Sequence, residues 1–389
     1  MITREISPAV LTMKEKMPVV VITGPRQSGK TTLAKALFPT YEYINLEFPD
    51  VRAKVSADPR FFLTGYEGEG VILDEVQRVP ELFSYIQGLV DESSAPGRYI
   101  LTGSHNFLLM EKISQSLAGR AALFNLLPLT ITEIMSAYPV DDDFTRLAFQ
   151  GTYPRLYDQG LKPPEWYPSY IDAYVERDVR QVENVRDLNK FYAFLQLCAA
   201  RVGQLFNASA LANELGVSYK TVLSWISILE ASFVIFLLPP YYKNFNKRII
   251  KSPKLYFYDT GLVCSLLGIQ SARDLALHYL KGEIFESLVI SEIKKRLTNA
   301  ANPARLYFWR DRGGHEIDCL IDFGARVKAV EIKSGTTITP DFFKNLEYWQ
   351  KVSESAREHL YLVYGGAENQ RWPVARVIGW KKIQEILGF

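Results

Sequence analysis

Over the first 130 residues the apolar positions fall into short continuous runs, separated by polar stretches that carry glycine or proline. Val19-Val20-Val21-Ile22, Tyr43-Ile44-Asn45-Leu46, Val71-Ile72-Leu73 and Tyr99-Ile100-Leu101 are four such runs. Continuous apolar runs of this length, rich in β-branched residues, predict strands of a buried parallel sheet. A helical pattern from Thr31 to Phe38 follows the first run and ends at Pro39. From Asn207 the period changes. Leu211, Ala212 and Leu215 predict a short helix, Gly216 a turn, and Ser218 the cap of a second helix whose apolar face is Val222, Trp225, Ile226 and Leu229. Ala231–Leu238 is the longest apolar stretch. It is too short to span a bilayer, stops at Pro239-Pro240, and reads as a buried strand. Phe233–Leu238 and Lys254–Tyr258 then suit a two-stranded wing. Towards the C-terminus a helix over Gly282–Val289 precedes strands at Arg305–Trp309, His315–Ile321 and Val327–Lys333, with Gly313-Gly314 and Phe323-Gly324-Ala325 as turns. A helix near Asp341–Lys351, a strand at Leu360–Tyr364 and a helix near Lys381–Leu387 close the chain.

A chain of 389 residues exceeds one hydrophobic core, so two or three domains are expected. With 48% hydrophobic and 23% charged residues it has an ordinary globular composition. A net charge of +2 does not by itself call for a polyanionic partner, so any nucleic-acid reading must rest on local patches. Cys198, Cys264 and Cys319 are far apart and lack metal spacing, which suits a reducing compartment. The start, Met1-Ile2-Thr3-Arg4-Glu5-Ile6, lacks the apolar core of a signal peptide. The expectation is a cytoplasmic protein with no membrane partner.

The strongest chemical signal joins the first strand to the first helix: Gly24-Pro25-Arg26-Gln27-Ser28-Gly29-Lys30-Thr31-Thr32. Strand, glycine-bounded loop, then Lys-Thr at a helix start is the phosphate-binding loop G-x-x-x-x-G-K-[ST] of nucleotide triphosphatases. Loop N–H groups and the helix N-terminus face the phosphates, Lys30 adds a mobile charge, and Thr31 is placed to ligate Mg²⁺. The run Gly70–Gln77 then ends a strand in Asp74-Glu75. Asp74 is expected to hold Mg²⁺, and Glu75 to orient and polarise the attacking water. At the end of the next strand Thr102, Ser104 and His105 are candidates to sense the γ-phosphate, with Ser104 preferred. Arg120 follows a predicted helix and reads either as an arginine finger for a neighbouring subunit or as a salt-bridge residue.

These segments, together with Leu101-Thr102-Gly103-Ser104 and Leu117-Ala118-Gly119-Arg120, resemble a group of prokaryotic AAA-type ATPases. The likeness runs over nearly the whole chain, and Gly-Pro-Arg-Gln is more specific than the generic loop. It implies ATP as the nucleotide, a shared site in a homo-oligomer, and a C-terminal domain of unknown function that looks like a nuclease fold. The expected fold class is α/β: an AAA-type phosphate-loop parallel sheet at 1–135, a helical lid or linker at 136–200, a winged-helix-like module at 201–265, and an α/β nuclease-like domain at 266–389.

Within the middle of the chain, Asp141-Asp142-Asp143 reads as a solvated helix start. Glu176, Arg177 and Asp178 suit inter-helix ion pairs, with Arg177 as a second finger candidate. The segment Tyr241–Lys251 interleaves Lys243, Lys247, Arg248 and Lys251 with aromatics and no acid, which suits phosphate contact and stacking. The second helix of the helix-turn-helix offers mainly Tyr219, Lys220 and Ser224, favouring DNA contact without base readout over sequence-specific binding. Packing against the ATPase core is the other use of such a module.

In the last domain, strand alternation puts Glu331 and Lys333 on one face, with Asp318 opposite on the neighbouring strand. Asp318, the Glu331-Ile332-Lys333 run and the helix residue Glu286 are similar to the PD-(D/E)xK nuclease core. That likeness implies Mg²⁺ or Mn²⁺ held by Glu286, Asp318 and Glu331, with Lys333 orienting the attacking water. Two functional readings follow. One is an Mg²⁺-dependent ATPase that couples nucleotide state to DNA contact. The other is an ATP-driven switch acting on protein partners through a catalytically silent C-terminal domain.

Overall fold

The computed structural model describes residues 2–66, 70–103, 115–174, 187–242 and 252–388. They form two compact units: Met1–Pro128 with Ala231–Phe233 and Thr298–Ala301, and Leu129–Glu230 with Val234–Leu297 and Asn302–Phe389.

The first unit is built on a parallel sheet. In chain order its elements are α1 (Ser7–Lys14), β1 (Val19–Thr23), α2 (Lys30–Leu37), β2 (Glu42–Asn45), α3 (Pro49–Ala57), α4 (Pro59–Thr64), β3 (Val71–Asp74), α5 (Leu82–Glu92), β4 (Tyr99–Thr102) and β5 (Ala121–Asn125). The five strands lie in the order β2-β3-β4-β1-β5, all parallel. β1 is buried at every position because both faces are covered. Val19, Val21, Leu73, Tyr99 and Leu101 pack with Phe83, Ile86 and Leu89 of α5 on one side. Val20, Ile22, Ile72 and Ile100 pack with Ile6, Val10, Leu33 and Ala34 on the other. The register aligns Asn45 with Asp74, Ile22 with Thr102 and Thr23 with Asn125. The polar residues that end the strands therefore share the carboxyl edge, where parallel sheets place ligands.

Most of the second unit's secondary structure is helical up to residue 230. Asp143 caps the helix Phe144–Gln150, accepting from the Thr145 N–H at 2.9 Å, so the acidic run opens a helix as its sequence suggests. Ala208–Leu215, Gly216 at φ +62° and Tyr219–Ala231 form the two helices and turn expected from the pattern. β6 (Ile235–Leu238) and β7 (Lys254–Phe257) pair antiparallel. β6 starts four residues later than the apolar run Ala231–Leu238 implies and two later than the wing strand Phe233–Leu238: Ala231 ends the preceding helix and Phe233 adopts φ +55°, outside strand geometry. The C-terminal part is a mixed sheet of six strands in the order β12-β13-β11-β10-β9-β8: β8 (Arg305–Arg310), β9 (Glu316–Asp322), β10 (Val327–Lys333), β11 (Leu360–Tyr364), β12 (Gln370–Arg371) and β13 (Arg376–Gly379). The helix Lys344–Ser353 covers one face through Leu346 and Trp349, which pack with Trp309, Ile317 and Leu362.

Candidate active site

Gly24-to-Thr32 curls over the end of β1. Gly24 has φ +146°, and a Cβ there would lie 2.2 Å from the Leu126 carbonyl oxygen, so only glycine fits. Gln27 and Gly29 also have positive φ, +59° and +94°, which bends the backbone into a closed cradle. Lys30 is buried at the start of α2, and its ammonium donates to the carbonyls of Gly24 (3.1 Å) and Pro25 (2.8 Å). Its charge is therefore already held inside the loop.

Asp74 ends β3 on the carboxyl edge. Its Oδ2 accepts from the Thr31 hydroxyl at 2.9 Å and the Tyr43 hydroxyl at 2.7 Å, and its Oδ1 accepts from Thr102. Thr31 and Asp74, the pair expected at the metal of a nucleotide, are thus adjacent. Thr102 points to Asp74, so its hydroxyl is committed to that carboxylate. The Tyr43 phenol is pushed well above its ordinary pKa by burial and by the Asp74 carboxylate, so it remains a donor. Glu75 takes a left-handed conformation at φ +56°, and Oε2 accepts from the Gln77 amide. Arg120 forms a two-pronged pair with Asp91, Nε–Oδ1 2.6 Å and Nη2–Oδ2 2.9 Å. Ser104, His105, Glu176, Arg177, Asp178 and the basic segment Lys243–Lys251 lie outside the described residues. Tyr43 and Gln77 are partners that motif reading does not supply, because neither belongs to the strand–loop–helix signature. The alternation of Tyr43 with Asn45 along β2 is the signal that points Tyr43 toward the site.

In the second unit, Glu286, Asp318, Glu331 and Lys333 come into one neighbourhood as expected, joined by Lys254 and Tyr256 of β7. Lys254 Nζ lies 3.0 Å from Glu286 Oε1 and also pairs with Glu316. The Tyr256 hydroxyl donates to Glu286. Lys333 Nζ is 2.7 Å from Glu331 and 4.0 Å from Asp318. Asn345 donates to Glu331 at 3.1 Å, and Asp318 accepts from the Ile332 N–H at 2.7 Å. Burial raises the Glu331 carboxyl to about 8 and the Glu286 carboxyl to about 7, Asp318 adding to both. Burial works against the Lys254 and Lys333 ammonium ions, but the surrounding carboxylates outweigh it and hold both above their ordinary pKa. Among the described residues no group of three carboxylate, imidazole or thiol side chains is arranged to hold a metal ion. Lys254 and Lys333 stand among these carboxylates, Lys254 on Glu286 and Lys333 on Glu331. Lys254 and Tyr256 are two apart on a strand, so a charge in an apolar run was the sequence signal for this contribution.

Comparison with known proteins fits this division. A family model described as an AAA domain matches residues 16–135. Two domains of unknown function match residues 141–273 (DUF8612) and 281–383 (DUF4143). Uncharacterised proteins of Mycobacterium tuberculosis and Mycobacterium bovis are each 32% identical over 366 residues, 93% of this chain and 79% of theirs. The chain belongs to their family. Its first domain is of the AAA type. A Walker-type ATPase of Pyrococcus abyssi is 14% identical, with a TM-score of 0.45 over 67% of this chain and 94% of its own. No described helix is long and apolar enough to cross a membrane.

Proposed function

We propose that this ATPase hydrolyses ATP with Mg²⁺ at the carboxyl edge of the first sheet, and that nucleotide state governs contact with DNA. The observation that carries the hydrolytic reading is the Thr31–Asp74 pair at 2.9 Å beside a loop that already encloses Lys30. Lys30 and the loop N–H groups would bind the phosphates. Thr31 and Asp74 would hold Mg²⁺, Asp74 directly or through water, and the Thr31 hydroxyl can keep donating to Asp74 while its oxygen faces the ion. Mg²⁺ supplies charge neutralisation on the phosphate oxygens. Glu75, released from Gln77, would orient the attacking water. Ser104 is proposed as sensor. Arg120 is proposed as a finger in a homo-oligomer, a role that requires it to leave Asp91.

The helix-turn-helix and the β6–β7 pair support the reading of residues 201–265 as a winged-helix-like module, preceded by a helical lid at 136–200 and followed by a nuclease-like domain at 266–389. ATP hydrolysis assayed with and without duplex DNA at low salt tests the coupling, since phosphate contacts are strongest there. Stimulation is expected; a rate indifferent to DNA, with no DNA binding, would overturn it. A specific observation favours the second reading, a switch acting on protein partners with a silent C-terminal domain. Lys254 and Lys333 already neutralise the carboxylate cluster, so loading Mg²⁺ or Mn²⁺ there requires Lys254 to move off Glu286. Mn²⁺-dependent cleavage of DNA that is lost in Asp318→Ala would restore the nuclease reading.

A further inference from the structure

Arg4 lies before the segment that matches the AAA domain, yet it is only 7% exposed. Its Nη1 donates to the Ser28 carbonyl at 2.8 Å and its Nη2 to the Leu127 carbonyl at 2.6 Å. One planar guanidinium thus ties the phosphate loop to the chain leaving β5. Ile6 and Val10, fully buried in the core under α2, fix the segment that carries Arg4.

The carbonyl of Ser28 and the N–H of Gly29 belong to one peptide plane, and in a trans peptide they point in opposite directions. Holding the Ser28 oxygen against Arg4 turns the Gly29 N–H away from Arg4. The guanidinium charge also polarises that peptide, making its N–H a stronger donor. Within the loop Gln27 is a non-glycine residue at φ +59°, a conformation that its surroundings must hold.

We infer that Arg4 is a positioning residue of the nucleotide site, fixing the Ser28–Gly29 peptide so that the Gly29 N–H is presented to the phosphates of a bound nucleotide. The inference rests on the reading of Gly24–Thr32 as the phosphate site. It makes the N-terminal segment part of the phosphate cradle.

The test uses the full chain with Mg²⁺. Affinities for ADP and for adenosine are measured in wild type, Arg4→Ala, Arg4→Lys and a packing control, Val10→Ala, alongside thermal unfolding. Arg4→Ala is expected to weaken ADP by about tenfold, the scale of one lost charged hydrogen bond, and to leave adenosine within about twofold. Arg4→Lys should recover part of the loss, because one ammonium reaches one carbonyl. Val10→Ala should lower the Tm without changing ADP affinity. Unchanged ADP affinity in Arg4→Ala, or an equal loss for ADP and adenosine, would overturn the inference. If Arg4→Ala does not fold, Arg4→Lys carries the test, with about a threefold loss for ADP expected and none for adenosine. A wild type that binds no ADP would instead overturn the phosphate-site reading itself.

Discussion

At the scale of single residues the two charged centres differ in how their charges are managed. Asp74 is surrounded by three hydroxyl donors, so its carboxylate is satisfied before any metal arrives. Glu331 is buried with its Oε2 lacking a hydrogen-bond partner, and its carboxyl is raised to about 8. A carboxyl raised above its unfolded value contributes stability below the unfolded pKa and loses it as pH rises through the folded one. The protein should therefore lose stability between about pH 5 and pH 8 through this group. Glu331→Gln, which cannot ionise, should flatten that decline, raising the Tm by a few degrees at pH 8.5 and changing it little at pH 5.5, as read by calorimetry. An identical pH profile in the variant would show that Glu331 is not charging in this range. The neighbours Thr31 and Asp74 were legible from motif spacing, and the shared face of Glu331 and Lys333 from strand alternation; Glu286 was reached only through the family resemblance. Lys254 was not legible, because its partners Glu286 and Glu316 are brought to it by pairing between segments remote in sequence.

Elements explain why the first unit reads so directly from its chain. The β-branched runs of β1, β3 and β4 are buried at every position and bounded by glycine or proline, which marks them as strands, and the glycines mark where the backbone must turn. Gly24 is the sharpest case: its φ of +146° and the Leu126 carbonyl oxygen, which would lie 2.2 Å from any Cβ there, exclude a side chain. Gly24→Ala should cost about 2–3 kcal/mol of stability and abolish nucleotide binding, measured by denaturant unfolding and ADP titration. The second unit depends on a buried cap that spacing does not show. Asp259 accepts from the Leu262 N–H (2.8 Å), the Tyr167 hydroxyl (2.6 Å) and both the N–H and hydroxyl of Thr152 (2.6 and 2.9 Å). Asp259→Ala removes a helix cap and leaves these donors unpaired, and should destabilise by about 3 kcal/mol or more in the same unfolding assay. A loss below about 1 kcal/mol would mean that water replaces the carboxylate. The strand expected at Phe233 begins only at Ile235: Phe233 is apolar and buried but adopts φ +55°, which hydrophobic pattern does not encode.

At the scale of the whole molecule, the proposed function is ATP turnover at Lys30, Asp74 and Glu75, with the remaining domains responding to that cycle. Lys30→Ala should weaken nucleotide binding, because the cradle loses the charge it encloses. The most direct measurement is Mg²⁺-dependent ATP turnover by wild type and Glu75→Gln, with nucleotide affinity determined on the same preparations. The amide keeps the size of the side chain but cannot polarise water as a carboxylate does. Glu75→Gln is predicted to bind ATP within about threefold of wild type and to turn it over at least about 100-fold more slowly. Wild-type turnover in Glu75→Gln would contradict the assignment of the site.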